Sequence, residues 1–326
     1  MMIATLGEAL VDMIEQPDGR FQACLGGSVF NSAIGLARQG VPTAYLNPLS
    51  TDKFGGRFAA LLRASDVVPA ARAPSPRPTS LAIVSIDDNG APTYAFHRER
   101  VADRDVSAAS LIDSFPPHMA LLHTGGLALV PEDGATLVPA LRAAAERGAL
   151  ISIDANLRPL VADDLPRYLD AVRQALKQAH IVKVSDEDLA HLGLDAANLD
   201  QVAEALFHDS PVRLIAVTRG GQAAALMSRT RRIELPTPAN LALVDTVGAG
   251  DCFQAGLIAY LYREGALTGA AALQELDQET LHGALRHAIC AASVNVTRAG
   301  CDPATWEQAV QFGVDWQQRM SVKVAA

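Results

Sequence analysis

The chain has 326 residues, 49% of them hydrophobic, and a formal net charge of −9. That length and apolar content suit one large α/β domain with a buried sheet and a small appendage. The acidic balance excludes a duplex-binding surface, which needs clustered cations, so no nucleic-acid partner is expected.

In chain order, residues 2–10 read as a short apolar strand. The spacing predicts a helix over 28–39, entered through Gly26-Gly27 and stopped by Gly40. Residues 43–49 form the next strand, and the proline- and alanine-rich stretch 69–78 reads as a linker or hinge. Two β-rich runs, 80–86 and 93–98, flank Asp87-Asp88-Asn89-Gly90, whose side chains suit a hairpin turn. This pair breaks the βα rhythm and is assigned to a small β lid, with lid strands within 9–23 and 80–100. From residue 120 the rhythm is regular: strands 121–123, 150–154, 181–184 and 214–218 alternate with helices 132–147 and 164–179. Residues 223–227 pair antiparallel beside the last of these strands, and helices over 250–264, 279–298 and 303–319 follow. The expectation is a single α/β domain over 1–326, its sheet doubly wound, mainly parallel and flanked by helices.

Cys24, Cys252, Cys290 and Cys301 lie far apart with no C-x-x-C pair, which suits a reducing compartment rather than a disulfide scaffold or zinc site. The first ten residues carry no basic n-region, and no apolar run approaches the roughly 18 residues that span a bilayer. A cytoplasmic protein with no membrane partner is the expectation.

The most informative segment is Asp245-Thr-Val-Gly-Ala-Gly-Asp251. Gly248, Ala249 and Gly250 lead directly into an apolar helix, and the unpaired amides of a helix start form an anion site. Small side chains let a phosphate approach that backbone, and Asp251 lies within reach in the first turn. The plain alternative is a first-turn acid opposing the helix dipole, but a cap does not need Gly-x-Gly ahead of it. Neither a dinucleotide fingerprint nor a Walker A loop is present: Phe253 stands where the first needs glycine, and no Gly-Lys pair occurs.

This segment resembles the C-terminal signature of the ribokinase-like (PfkB) carbohydrate kinase family. Gly26-Gly27-Ser-Val-Phe-Asn31-Ser-Ala33-x-x-Leu36-Ala37 resembles the family's N-terminal signature, and together the two are highly specific. Within the family the chain looks most like the fructokinases. Phe96-His-Arg98 with Ala102-Asp103 resembles their lid strand, and Asp154-Ala-Asn156-Leu-Arg158-Pro159 their Asp-x-Asn-Leu-Arg segment. Lys183-Val-Ser185-Asp-Glu-Asp188 resembles the strand end that approaches magnesium-bound phosphates, and Val217-Thr218-Arg-Gly220 the nucleotide-contacting turn.

The resemblance implies an ATP-dependent sugar kinase, with fructose as the acceptor. Asp251 would be the base, and the amides of Gly248, Ala249 and Gly250 the anion hole. Asp12, Gly26, Gly27 and Asn31 would hold the sugar, Arg98 would close from the lid, and Arg158 would steer phosphates. Lys183, Ser185, Thr218, Gly220, Gly248 and Gly250 would line the ATP site. Asp188 would reach Mg²⁺ through water, and Asp245 would sit beside a potassium-type cation. A homodimer through the lid is expected by the same resemblance.

Plain readings stand beside these. Asp12 is also compatible with a satisfied strand-end residue, Asn31 with an ordinary helical one, and Arg98 and Arg158 with surface arginines. His97 and His123 read as structural, and Cys252 as a packing residue. Three departures from the family pattern bear on the ATP site and helix entrance: Val29 for Pro, Asp188 for Glu, and Ala223 with Arg219 in the nucleotide turn. Competing acceptors are 2-keto-3-deoxygluconate, whose carboxylate would suit Arg98, and nucleosides. A nicotinamide-dependent oxidoreductase is disfavoured because no Gly-x-Gly-x-x-Gly follows the first strand. A non-catalytic sugar-binding regulator is disfavoured by the intact Asp251 and its loop.

Overall fold

The computed structural model describes residues 1–16, 18–86 and 92–324. The amino-terminal part runs Met2–Leu6 (β1), Leu10–Glu15 (β2), Phe21–Gly26 (β3), Ser28–Arg38 (α1), Thr43–Tyr45 (β4) and Lys53–Ala64 (α2). Then come Val68–Pro69 (β5), Ser80–Ile86 (β6), Pro92–His97 (β7), Ala108–Asp113 (α3) and Met119–Gly125 (β8). The centre comprises Gly134–Glu146 (α4), Leu150–Asp154 (β9), Leu165–Leu176 (α5), Ile181–Ser185 (β10), Asp186–His191 (α6) and Leu199–Phe207 (α7). Leu214–Arg219 (β11), Ala223–Met227 (β12) and Arg232–Pro236 (β13) precede four helices: Ala249–Arg263 (α8), Ala270–Gln274 (α9), Gln278–Asn295 (α10) and Trp306–Val324 (α11).

Two sheets result. The larger runs β13-β12-β11-β10-β9-β8-β1-β4-β5, parallel from β11 to β5 with an antiparallel extension at β12 and β13. Strands β9 and β10 are short apolar runs buried along almost their whole length, as a sheet covered on both faces requires. Side chains from α3 to α7 fill one face; α1, α8, α9 and α10 fill the other. Helix α8 is enclosed on nearly every side. It touches α10 closely: a β-carbon on Gly256 would lie 2.8 Å from that of Ala291.

The smaller sheet runs β3-β2-β6-β7. Two antiparallel pairs, β2 with β3 and β6 with β7, are joined by a parallel pairing of β2 with β6. The expected turn Asp87-Asp88-Asn89-Gly90 lies outside the described residues.

Several expectations change. The apolar run 2–10 is two strands in two sheets, parted after Leu6, so Leu10 belongs to the smaller sheet. The strand expected over 43–49 ends at Tyr45. Stretch 69–78 is docked rather than free: Pro69 pairs with Tyr45, and the Ser75 amide donates to Leu49 O at 2.8 Å. Helix α2 was not expected. Its N-cap Asp52 accepts from the Gly55 amide at 2.8 Å, and Phe58 and Leu62 bury its inner face. No helix among the described residues is long and apolar enough to cross a membrane.

Candidate active site

The carboxyl ends of the central strands gather along one edge of the large sheet, where open α/β sheets bind ligands. Register sets Gly125 beside Asp154, Asp154 beside Lys183, and Ser185 beside Thr218. The start of α8 meets this edge. Its N-cap, Gly248, has φ of 73°, a left-handed conformation that glycine adopts without cost. A β-carbon there would also lie 2.3 Å from Cys301 Sγ. Glycine is therefore required before any ligand is considered.

The Cys252 amide makes the first helical bond, to Gly248 O at 2.8 Å. The Ala249 amide donates to Thr246 O at 3.2 Å, so the expected trio of donors needs correction. Gly250 and Asp251 carry the amides that precede the first helical bond, at the positive end of the helix. Gly248 is the N-cap and Gly250 carries one of those two amides; Ala249 contributes shape rather than a donor.

Asp251 is only 7% exposed, and its carboxylate accepts a hydrogen bond from Asn31 Nδ2 at 2.8 Å. This bond joins the two signature segments. Burial pushes the Asp251 pKa up to about 7, opposed first by the Asn31 bond. The charge of Asp154 raises it further, while Lys183 and Arg158 lower it. A carboxyl group titrating near neutrality is matched to proton abstraction at physiological pH.

Lys183 does not reach outward as a nucleotide contact. Its Nζ donates to both Asp154 oxygens at 2.9 Å, with both side chains buried. Burial opposes the ammonium charge, but Asp154 and Asp188 hold the Lys183 pKa above its ordinary value. Burial pushes Asp154 up to about 6 against the pull of Lys183. Ser185 caps α6, accepting from the Asp188 amide at 3.0 Å. Thr218, one residue before the end of β11, is its register partner, and Gly220 turns the chain at φ of 48°.

On the smaller sheet, Asp12 lies against Gly26, where a β-carbon would stand 2.3 Å from Asp12 Oδ2. Gly27, at φ of 104°, leads into α1 and so to Asn31. Burial raises Asp12 to about 6, with Arg158 as the opposing charge. Arg158 is exposed, donates to Leu157 O at 2.9 Å, and lowers the pKa of Asp12, Asp154 and Asp251 alike. Asp12, Gly26, Gly27, Asn31, Arg158 and the 248–251 segment thus form one neighbourhood.

Three expected site residues are engaged elsewhere. Arg98 is buried, donates to Leu127 O at 3.0 Å, and pairs with Asp103 at 3.5 Å and Asp133 at 3.7 Å. Its charge is met by those carboxylates rather than offered to a sugar. Asp188 accepts from the Leu157 and Ser185 amides at 2.7 and 2.8 Å and is 3% exposed, so it does not fit a metal-bound water. Asp245 accepts from the Val247 and Gly300 amides at 3.0 and 2.8 Å, tying its loop to the chain after α10. Among the described residues no group of three or more His, Cys, Asp and Glu side chains could hold a metal ion.

A buried chain beneath α8 escaped the sequence reading. Gln254 Nε2 donates to Ser152 Oγ at 2.8 Å, and Ser152 Oγ lies 3.1 Å from His123 Nδ1. Burial pushes His123 down to about 3, so it stays neutral and structural, as expected. The available signal was Gln254 itself, an amide side chain within the otherwise apolar, buried stretch 252–259 of α8.

A family model described as pfkB family carbohydrate kinase matches residues 2–308. A fructokinase of Rhizobium leguminosarum bv. trifolii is 35% identical over 286 residues, 86% of this chain and 85% of the relative. Among solved structures, a fructokinase with bound ATP from Xylella fastidiosa is 25% identical, with a TM-score of 0.83, covering 98% of both chains. A fructokinase from Vibrio cholerae O395 in a fructose-, ADP- and calcium-bound form is also 25% identical, with a TM-score of 0.76. That likeness covers 92% of this chain and 94% of the other.

Proposed function

From the pfkB family of carbohydrate kinases, to which this chain belongs, we propose that it transfers the γ-phosphoryl group of ATP to D-fructose, giving fructose 6-phosphate. The observation that carries this reading is the Asp251–Asn31 hydrogen bond at the opening of α8. It holds a carboxylate of near-neutral pKa beside unpaired helix-start amides. In this reading Asp251 takes the proton of the attacking hydroxyl, which contributes about 10²–10⁴-fold. The Gly250 and Asp251 amides face the charge that spreads over the transferred oxygens. Asp12 and Asn31 orient the sugar, and Arg158 balances the phosphate charge. Magnesium arrives with ATP, as small divalent cations bound through phosphates do. The smaller sheet serves as the lid that excludes water. Its exposed Phe21 and Tyr94 support a homodimer through that sheet, which light scattering on the purified chain tests.

The keto-acid alternative loses the support of Arg98, since Asp103 and Asp133 neutralise that guanidinium. A coupled ADP-release assay with Mg²⁺-ATP and a panel of sugars and sugar acids tests the reading. Fructose should give the highest kcat/KM. A preference for 2-keto-3-deoxygluconate, or no ADP release with any sugar, would overturn it.

A further inference from the structure

We propose that Lys183 and Asp154 are positioning residues: a charge-balanced pair, buried behind Gly250, that holds the start of α8 and sets the charge around Asp251. This rests on the kinase reading of the site.

The pair bridges adjacent strands, since Lys183 and Asp154 are register partners across β10 and β9. Both Asp154 oxygens accept from Nζ at 2.9 Å, which fixes the ammonium from one side. On the other side, Nζ stands 2.9 Å from where a β-carbon on Gly250 would be. The backbone of the anion-binding turn therefore rests against a cation it does not bond covalently. Glycine at 250 is explained by this contact as well as by phosphate approach.

The groups around Asp251 come from several elements. Asn31 reaches it from α1, Asp154 from β9, Lys183 from β10 and Arg158 from the segment after β9; the Cys301 thiol feels its charge from beyond α10. Lys183 in turn feels Asp154, Asp188 and Asp251, and His123 feels Lys183. Within this set Asp154 and Lys183 act on Asp251 with opposite sign. While the pair is intact the two effects offset each other. Splitting it leaves one uncompensated charge in a medium of low dielectric, where charges act strongly.

The test is the pH dependence of kcat for full-length enzyme with saturating fructose and Mg²⁺-ATP. Asp154→Asn keeps the ammonium and removes its counter-charge. The acid limb of kcat should move at least one pH unit lower than in the wild type. The double variant Asp154→Asn with Lys183→Met is neutral again, and its limb should return toward the wild-type position. A purely structural role would scale kcat without moving the limb, so an unmoved limb in Asp154→Asn overturns the proposal. Lys183→Arg provides a check should Asp154→Asn fail to fold. Its wider head keeps the charge but crowds Gly250, so kcat should fall at least 10-fold with the limb in place and KM for fructose unchanged. Wild-type kcat in Lys183→Arg would overturn the proposal equally. An inactive wild-type enzyme would instead count against the kinase reading.

Discussion

Replacing Asn31 by alanine removes the donor that holds the buried Asp251 carboxylate at 2.8 Å. A hydrogen bond to a charged group contributes about 1.5–3 kcal/mol, and about 1.4 kcal/mol corresponds to one pKa unit. Its loss should therefore raise the Asp251 pKa by about 1–2 units above its present value of about 7. The sign matters: the bond favours the ionised form, so the variant needs a higher pH to work. At pH 7 the ionised share falls from about half to about 1–10%, a loss of roughly 5- to 50-fold in kcat that is regained by about pH 9. Initial rates of ADP formation between pH 6 and 9.5, at saturating fructose and ATP, measure this. A uniform loss at every pH, with the acid limb where the wild type has it, would refute the reasoning and leave Asn31 as a sugar ligand alone.

Asp251→Asn should stabilise the fold. The folded carboxyl titrates near 7 against an ordinary 3.8, so ionising it in the native state costs up to roughly 4 kcal/mol above pH 7 and nothing below about pH 4. Urea unfolding should give the variant an advantage at pH 8 that shrinks through pH 7 to 5; an advantage that grows toward acid contradicts the burial argument. Gly248→Ala places a methyl group against Cys301 and forces φ of 73° on a residue with a side chain. It should cut kcat/KM at least 10-fold, and adding Cys301→Ala should recover only the steric part; full recovery would mean the backbone conformation is unimportant. Asp12→Ala should raise KM for fructose far more than KM for ATP, and equal effects would remove Asp12 from the sugar site.

What the sequence revealed was local, and what it hid was pairing. Gly248-Ala-Gly250-Asp251 announces a helix start with a carboxylate because every residue of that device is contiguous. The Asp154 partner of Lys183, the Asp133 partner of Arg98 and the Leu157 partner of Asp188 depend on strand register and on segments remote in the chain. Lys183 meets Asp154 through the β9–β10 ladder. Arg98 meets Asp133 beyond β8, and Asp188 folds back onto its own helix cap and the Leu157 amide. Helix α2 was hidden because Gly55-Gly56 weakens helix propensity, while Asp52 capping and burial of Phe58 and Leu62 restore it. The run 2–10 looked like one strand because apolar content says nothing about which sheet each half joins. In the same way, proline and alanine at 69–78 suggested a linker or hinge, but hydrogen bonds from Ser75 to Leu49 and from Ala70 to Tyr45 hold the segment down.

The most direct measurement is single-turnover phosphorylation of fructose by Asp251→Asn, read beside ATP affinity from calorimetry. A base seated in front of helix-start amides predicts ATP binding within about threefold of wild type and phosphoryl transfer slower by at least 10²-fold, in line with the general-base contribution. Transfer at near wild-type speed, with the same ATP affinity, would mean that the proton leaves the sugar by another route.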